Sequence, residues 1–397
     1  MNNDIRKGLA RHKFVYHFLR ILIGWALILI NNFSYKPYKV KERPALILAN
    51  HNSDFDPFLM IITLKQHFKF VASANIMSGP VGKLIAFLVG PIPRAKGAGA
   101  DETVQLIIDN LNAGIDVAMF PEGNKSWDGS TNFISKRTAE IFKMTKCSLV
   151  TYRFDGGYLR SPRWARFTRK GKLFGQVVHE YSYDQLKDLS TDEIYQLIVN
   201  DLQADAYQYQ DANHIKYIGK GLAEGIENLT YLCPVCHRFD TIHAKDNEFW
   251  CDCGMKATYD EYGYLNGDKI RNYNNTIKWN RFQKHWLAQH KGELKKQTVK
   301  NFSHDEGLRF YQVVDNERIL LSDNISTQLY GDRMILTNGS DYTITFNWDS
   351  ISKMGMFRNN RLYFTYDDKR YQLERPSGFP LIKYFSLWRV LTDKALV

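Results

Sequence analysis

Residues 46–58 read LILANHNSDFDPF. An uncharged apolar run gives way abruptly to His51, Asp54 and Asp56. A short apolar run of this kind has the pattern of a strand ending at His51. The polar residues behind it are either a surface turn or a histidine lifted to the strand's end, with a carboxylate set to hold its ring.

The chain around this stretch alternates strand and helix patterns. FKFVASA, DVAMF, SLVTYRF and LFGQVVHEYS read as strands. PFLMIITLKQHF reads as a helix with Pro57 in its first turn. VGKLIAFLVG and KRTAEIFKMTKC read as helices, and DETVQLIIDNLNAG as a clearer one. In the last, Val104, Ile107, Ile108 and Leu111 share a face and Gly114 stops the helix. Ser190 and Glu193 form a capping-box pattern before IYQLIVNDLQADAY, the expected final helix of this region. Alternation of this kind predicts an α/β layer structure ending near residue 215.

Beyond it the texture changes. Residues 228–264 hold four of the five cysteines. TIKWNRFQKHWLAQHKGEL reads as a polar helical connector over 265–302. From 303 to 397 strand patterns dominate (RFYQVV, RMILTN, YTITFNWDSI, RLYFTYDDKRYQL), closed by a helix-like spacing at Leu381, Tyr384, Leu387 and Leu391. There is no internal repeat and no low-complexity tract.

Apolar content of 44% and charged content of 24% exclude wholesale disorder, and a net charge of +11 favours a polyanionic partner. In residues 1–35 the uncharged run Ile21–Ile30 is too short to span a bilayer, and no cleavage pattern for a signal peptide follows. Extended back to Phe14, with Arg6, Lys7, Arg11 and Lys13 before it, the segment suits a helix lying in one leaflet at an anionic cytoplasmic membrane face. The alternative is a buried core helix.

Three short pieces carry the chemistry. His51 and Asp56 stand as H-x4-D, in which a carboxylate on one imidazole nitrogen leaves the other free as a general base. Asp54, between them, reads as a capping or turn residue. GPIPRAKG places Arg94 and Lys96 after an apolar segment, and arginine is well shaped for phosphate. FPEGNKS, residues 120–126, follows another strand. Its Gly123 allows close backbone approach, Lys125 adds charge and Ser126 a donor, while Glu122 would grip a hydroxyl or orient a cation.

In this order, H-x4-D, G-P-I-P-R and F-P-E-G-N-K-S resemble the glycerophospholipid acyltransferase family, whose best-known members are lysophosphatidic acid acyltransferases. YRFDGGYLRSPRWAR is similar to that family's fourth block, with Gly156, Gly157 and Pro162 near the substrate site. The resemblance covers roughly residues 30–210. It implies an α/β acyltransferase domain over 36–215, acyl-CoA or acyl-carrier protein as donor, and a lysophospholipid acceptor. His51 matches the base and Asp56 its partner. Arg94 matches a phosphate-binding position, and the block from Glu122 and Gly123 through Asn124, Lys125 and Ser126 matches the acceptor site. The family's usual form there is F-P-E-G-T-R-S. Lys125 keeps the charge of the arginine but not its fork. No G-x-S-x-G is present, so a serine acyl-enzyme has no support.

CPVC and CDCG set Cys233, Cys236, Cys251 and Cys253 as two tight pairs separated by 14 residues. This resembles a zinc ribbon, in which four thiolates close a tetrahedral, structural site. Two disulfides, or His237 or His243 in place of one thiolate, are the alternatives, and iron suits the same donors. A nucleic-acid-binding ribbon protein is the rival function, disfavoured because the basic residues read as dispersed and form no ladder with aromatics. A second rival is a lipid-surface binder without turnover, since the C-terminal strands and closing helix faintly resemble a pleckstrin-homology-like barrel.

Overall fold

The strand read in ALILAN forms over Ala45–Ala49, and every residue of it is buried, as in the interior of a parallel sheet. The structure, a computed structural model, describes residues 5–73, 77, 79–94, 100–314, 317–339 and 342–396. The chain divides into two units, Met1–Ser161 with Lys170–Lys216, and Pro162–Arg169 with Tyr217–Val397.

In the first unit α1 (Leu9–Leu22) and α2 (Gly24–Asn31) lead into β1 (Phe33–Tyr35), β2 (Ala45–Ala49) and α3 (Asp56–Thr63). Next come β3 (Lys69–Ser73), α4 (Gly79–Val89), β4 (Ile92–Arg94), α5 (Ala100–Asn112) and β5 (Val117–Met119). The unit continues with α6 (Arg137–Lys143), β6 (Ser148–Asp155), the single turn α7 (Gly157–Arg160), β7 (Leu173–Tyr181) and α8 (Tyr183–Leu186). It closes with α9 (Thr191–Leu202) and α10 (Ala206–Asn213).

The sheet order is β1-β7-β6-β2-β5-β3-β4. The strands from β6 to β4 are parallel, β7 is antiparallel to β6, and β1 is parallel to β7. Successive side chains of β2 enter opposite cores. Ala45, Ile47 and Ala49 pack with Leu59, Met60 and Tyr152, while Leu46 and Leu48 pack with Ile107, Leu111, Phe142 and Ile198. β2 is therefore the central strand, and the carboxyl ends of five parallel strands gather their loops at one edge, where ligands of open α/β sheets bind.

The capping box forms: Ser190 N–H donates to Glu193 Oε2 at 2.8 Å and Glu193 N–H to Ser190 Oγ at 3.2 Å. The expected final helix, however, stops at Leu202. Asp205 Oδ1 accepts the N–H groups of Tyr207 and Gln208 at 2.8 and 3.0 Å and starts a separate helix. An aspartate that captures backbone amides ends one helix by capping the next.

In the N-terminal pair only His12, Tyr16, Gly24 and Asn31 are buried, so the core-helix alternative fails. Phe14 is 70% exposed, Ile21 79% and Leu29 70%. Among the described residues no single helix is long and apolar enough to cross a membrane, and α1 and α2 meet at a 51° bend.

In the second unit β8 (Ile242–Lys245), β9 (Glu248–Cys251), β10 (Lys256–Tyr259) and β11 (Leu265–Asn266) form an antiparallel sheet. Helices α11 (Thr276–Gln289) and α12 (Lys291–Lys296) follow. The stretch read as a connector is packed into this unit. Trp279 and Leu287 are buried, and the Trp279 indole donates to the Leu232 carbonyl at 3.1 Å.

Strands β12 (Ser303–Val314), β13 (Glu317–Leu329), β14 (Arg333–Thr337), β15 (Thr343–Asn347), β16 (Ile351–Phe357), β17 (Arg361–Tyr366) and β18 (Lys369–Glu374) follow. They pair antiparallel in the order β15-β14-β13-β12-β18-β17-β16, and α13 (Leu381–Leu391) ends the fold. Its Lys383 is fully buried between Asp240 at 2.6 Å and Asp305 at 2.7 Å, which compensates a charge that would otherwise be costly to bury.

Candidate active site

β2 ends at Ala49, and the chain turns through His51–Ser53 into α3. The turn is held by Asp56, whose Oδ2 accepts the N–H of Asn52 at 2.7 Å and of Ser53 at 2.8 Å. The same oxygen lies 3.0 Å from His51 Nδ1. Asp56 is fully buried in the first turn of α3, where a helix end favours negative charge. Nδ1–H therefore donates to the carboxylate, and Nε2 is left with a lone pair. The imidazole lies on Phe120, centroids 4.2 Å apart and planes 18° apart, and the side chain stays 19% exposed. A fixed tautomer and a rigid, partly exposed ring are what a general base requires.

The loop after β5 closes on the same histidine. Glu122 Oε1 accepts the His51 N–H at 2.8 Å, and Ser126 N–H donates to the His51 carbonyl at 3.1 Å. Glu122 Oε2 accepts Asn132 N–H at 2.7 Å. Burial pushes the Glu122 pKa up to about 8, opposed by these backbone donors. Sequence reading assigned Glu122 to a hydroxyl or cation of the ligand. Both its oxygens instead hold backbone, so it shapes the loop. Ser126 also differs from expectation. Its buried hydroxyl donates to the Ser130 carbonyl at 2.6 Å and accepts Gly129 N–H at 2.9 Å, which makes it a turn residue.

The remaining residues of the block face one another. Gly123 has φ 71°, and a Cβ there would stand 2.6 Å from Arg94 Nη1. Arg94 donates from Nη1 to the Gly123 carbonyl at 3.2 Å, so the β4 arginine reaches the β5 loop. Lys125 pairs with Asp54 at 3.1 Å, which gives Asp54 an ionic contact where a bare turn residue was expected. The Asn124 carbonyl accepts the Asn132 side-chain amide at 3.0 Å. Gly157 packs against Asn52, a Cβ there falling 3.0 Å from that of Asn52. Pro162 belongs to the second unit, and Lys96 lies outside the described residues.

Sequence reading missed Asn50. Its amide brackets Phe154, donating to the carbonyl at 2.9 Å and accepting the N–H at 2.7 Å, and so locks the end of β2 to β6. Asn132 and Phe120 were missed as site residues too. Phe120 opens the F-P-E-G-N-K-S block but was given no role, and only the fold brings Asn132 back to Glu122.

In the second unit the sulfurs of Cys233, Cys236, Cys251 and Cys253 lie within 4.8 Å of one another. Cys233 and Cys253 are 3.9 Å apart, Cys236 and Cys251 3.7 Å. A tetrahedron with bonds of about 2.3 Å has edges near ~3.8 Å. Disulfide bonding at ~2.05 Å is excluded, and all the cysteines are free. His243 turns to Asp252 at 2.8 Å, which leaves four sulfurs as the donor set able to hold a metal ion.

Comparison with known proteins finds similarity in both parts of the chain. The acyltransferase family model matches residues 32–155, and a model described as HNH endonuclease matches 202–241, a stretch that includes Cys233 and Cys236. A chloroplastic 1-acyl-sn-glycerol-3-phosphate acyltransferase of Arabidopsis thaliana is 27% identical over 152 residues, 35% of this chain and 40% of the relative. A chloroplastic enzyme of the same description from Brassica napus is 25% identical over 195 residues, 46% of this chain and 54% of the relative. The solved 1-acyl-sn-glycerophosphate acyltransferase PlsC of Thermotoga maritima aligns with TM-score 0.41 and 19% identity over 48% of this chain and 79% of that one. The chain spans about half the length of the curated relatives it matches. Residues 32–155, the stretch that carries His51, Asp56, Arg94 and the loop after β5, are the part of the chain that matches the acyltransferase family model.

Proposed function

We propose that this protein transfers a fatty acyl group from an acyl thioester, acyl-CoA or acyl-carrier protein, to the free hydroxyl of a lysophospholipid. The acceptor that fits best is 1-acyl-glycerol-3-phosphate, and the product is phosphatidic acid. The observation that carries this reading is His51 Nδ1 at 3.0 Å from a buried Asp56, with the loop that follows β5 bound to the His51 backbone through Glu122.

Nε2 takes the proton of the acceptor hydroxyl as its oxygen attacks the thioester carbonyl. The C–S bond then breaks, and the thiolate leaves with the proton held on the imidazolium. The Asp56 carboxylate stabilises that cation. Backbone amides near the site hold the developing oxyanion. Arg94 and Lys125 supply positive charge for the acceptor's phosphate.

The exposed apolar side chains of α1, α2 and α4 support a monotopic or peripheral seat on an anionic membrane, at its cytoplasmic face. Phe18, Trp25 and Phe87 are each at least half exposed, and Arg11 stacks on the Phe87 ring at 3.6 Å. Aromatic and basic side chains on one surface suit a bilayer interface. In the second unit we read the cysteine cluster as a structural zinc ribbon and the seven strands with α13 as a pleckstrin-homology-like domain.

The test is thioester consumption with lysophosphatidate on liposomes. His51→Ala should lower turnover by roughly 10²- to 10⁴-fold with an unchanged melting temperature. A variant as active as wild type would refute the base assignment. Liposome binding by the wild type without turnover would favour the lipid-surface binder instead.

A further inference from the structure

The second unit holds one strongly basic stretch. Residues 271–300 contain eight lysines and arginines and one acid, Glu293, a net +7 of the chain's +11. These residues form α11, α12 and their flanks. The buried face of α11 carries Ile277, Trp279 and Leu287, so its charges are turned outward. Lys291 and Lys295 are paired with Asp393. Lys296 and Lys300 are exposed and have no ion-pair partner among the described residues.

A cavity of about 590 Å³ opens where this stretch meets the loop after Cys236. That is within the usual range for a small-molecule site, ~300–1,000 Å³. Part of its wall is aromatic. Trp286 and His290 stack with centroids 4.2 Å apart and planes 12° apart, and Phe239 lies 5.3 Å from Phe302. The Trp286 indole N–H is buried with no acceptor. The cations of the lining are Lys296, Lys300 and Arg238, whose guanidinium also reaches the Cys236 sulfur. Glu293 is the one acid there.

Flat rings and cations call for different halves of one ligand. Stacking on an aromatic plate selects a planar heterocycle. The unpaired ammonium groups select phosphate. A bilayer surface is too broad to enter a cleft of this size, and a bare inorganic anion would leave the aromatic wall unused. We propose that this cleft binds a nucleoside phosphate, with its base against Trp286 and His290 and its phosphate at Lys296 and Lys300. Two sources share that chemistry: the adenosine bisphosphate end of a coenzyme A thioester, and a terminal nucleotide of single-stranded nucleic acid. The site is distinct from the His51 centre and does not depend on the reaction assigned there.

The experiment is equilibrium dialysis of the full chain with labelled adenosine 3′,5′-bisphosphate. Lys296→Glu/Lys300→Glu changes only exposed side chains and should weaken binding at least ten-fold, with the thermal melt unchanged. Trp286→Leu should weaken it comparably. Unchanged affinity in both variants, or inorganic phosphate competing as well as the nucleotide, would overturn the proposal. Stronger competition by coenzyme A than by a short single-stranded oligonucleotide supports it with a small-molecule source, and the reverse order supports it with a nucleic-acid end.

Discussion

The Glu122 carboxylate accepts the backbone N–H of His51 at 2.8 Å, so the loop after β5 holds the peptide unit that carries the candidate base. Burial raises this carboxylate from its ordinary 4.5 to about 8. A group with a raised pKa takes up a proton on folding. Its stabilising contribution is full below pH ~4.5 and is lost as pH climbs through ~8. Glu122→Gln removes the titration. Wild-type melting temperature, measured relative to that variant, should therefore fall from pH 6 to pH 9. A difference that stays constant over this window would mean the carboxylate titrates as an exposed one does.

Asp56→Asn separates charge from shape. The amide oxygen can still accept the Asn52 and Ser53 amides, but the imidazolium formed during transfer loses its counter-charge. Turnover should fall by roughly 10²-fold or more. The variant should also melt lower, because its NH₂ replaces a buried oxygen that has no partner, at a cost of ~1–3 kcal/mol. Wild-type turnover in this variant would leave the carboxylate with a structural role only.

What was legible in the sequence follows from which patterns are local. ALILA announces a strand because its apolar residues are contiguous and stop abruptly at the turn. The capping box at Ser190 and Glu193 is legible because both partners lie within one turn. By contrast, the clamp on His51 needs Glu122, Ser126 and Asn132, brought together through strand pairing and a loop with no periodicity of its own. Glu122 and Ser126 were noticed for the right block but given ligand contacts, since residue type alone cannot tell a carboxylate facing substrate from one facing backbone. β13 went unread because Glu317–Leu321 is exposed on both faces and so shows no alternation. The cleft beside α11 was missed for a related reason. Its lining comes from two stretches, 237–241 and 286–302, and only the fold sets Arg238 and Phe239 beside Trp286.

Gly123→Ala tests whether the β4 arginine serves the acceptor's phosphate. The added methyl would sit 2.6 Å from Arg94 Nη1 at a φ of 71°, so both the guanidinium and the loop must shift. Left-handed backbone costs a non-glycine residue ~1–2 kcal/mol. KM for lysophosphatidate should rise several-fold, while KM for the acyl thioester changes little. Equal effects on both substrates would show that the loop, rather than the arginine contact, had been damaged.

Metal content decides the nature of the four-sulfur cluster. Sulfur separations of 3.7 and 3.9 Å match a tetrahedron of ~2.3 Å bonds, and metal-binding energy in such sites is folding energy. Purified protein should carry one zinc per chain. Cys251 lies on β9, two residues from Phe249, whose ring meets buried Trp279 at 5.9 Å. Chelation should thus lower the melting temperature by several degrees and red-shift tryptophan emission as this packing loosens. Cys251→Ser should reproduce both changes without chelator, because a hydroxyl is a poor zinc ligand. Four reactive thiols in untreated protein, with no metal and no response to chelator, would remove the metal from the account and leave the cysteines as free thiols beside a small sheet.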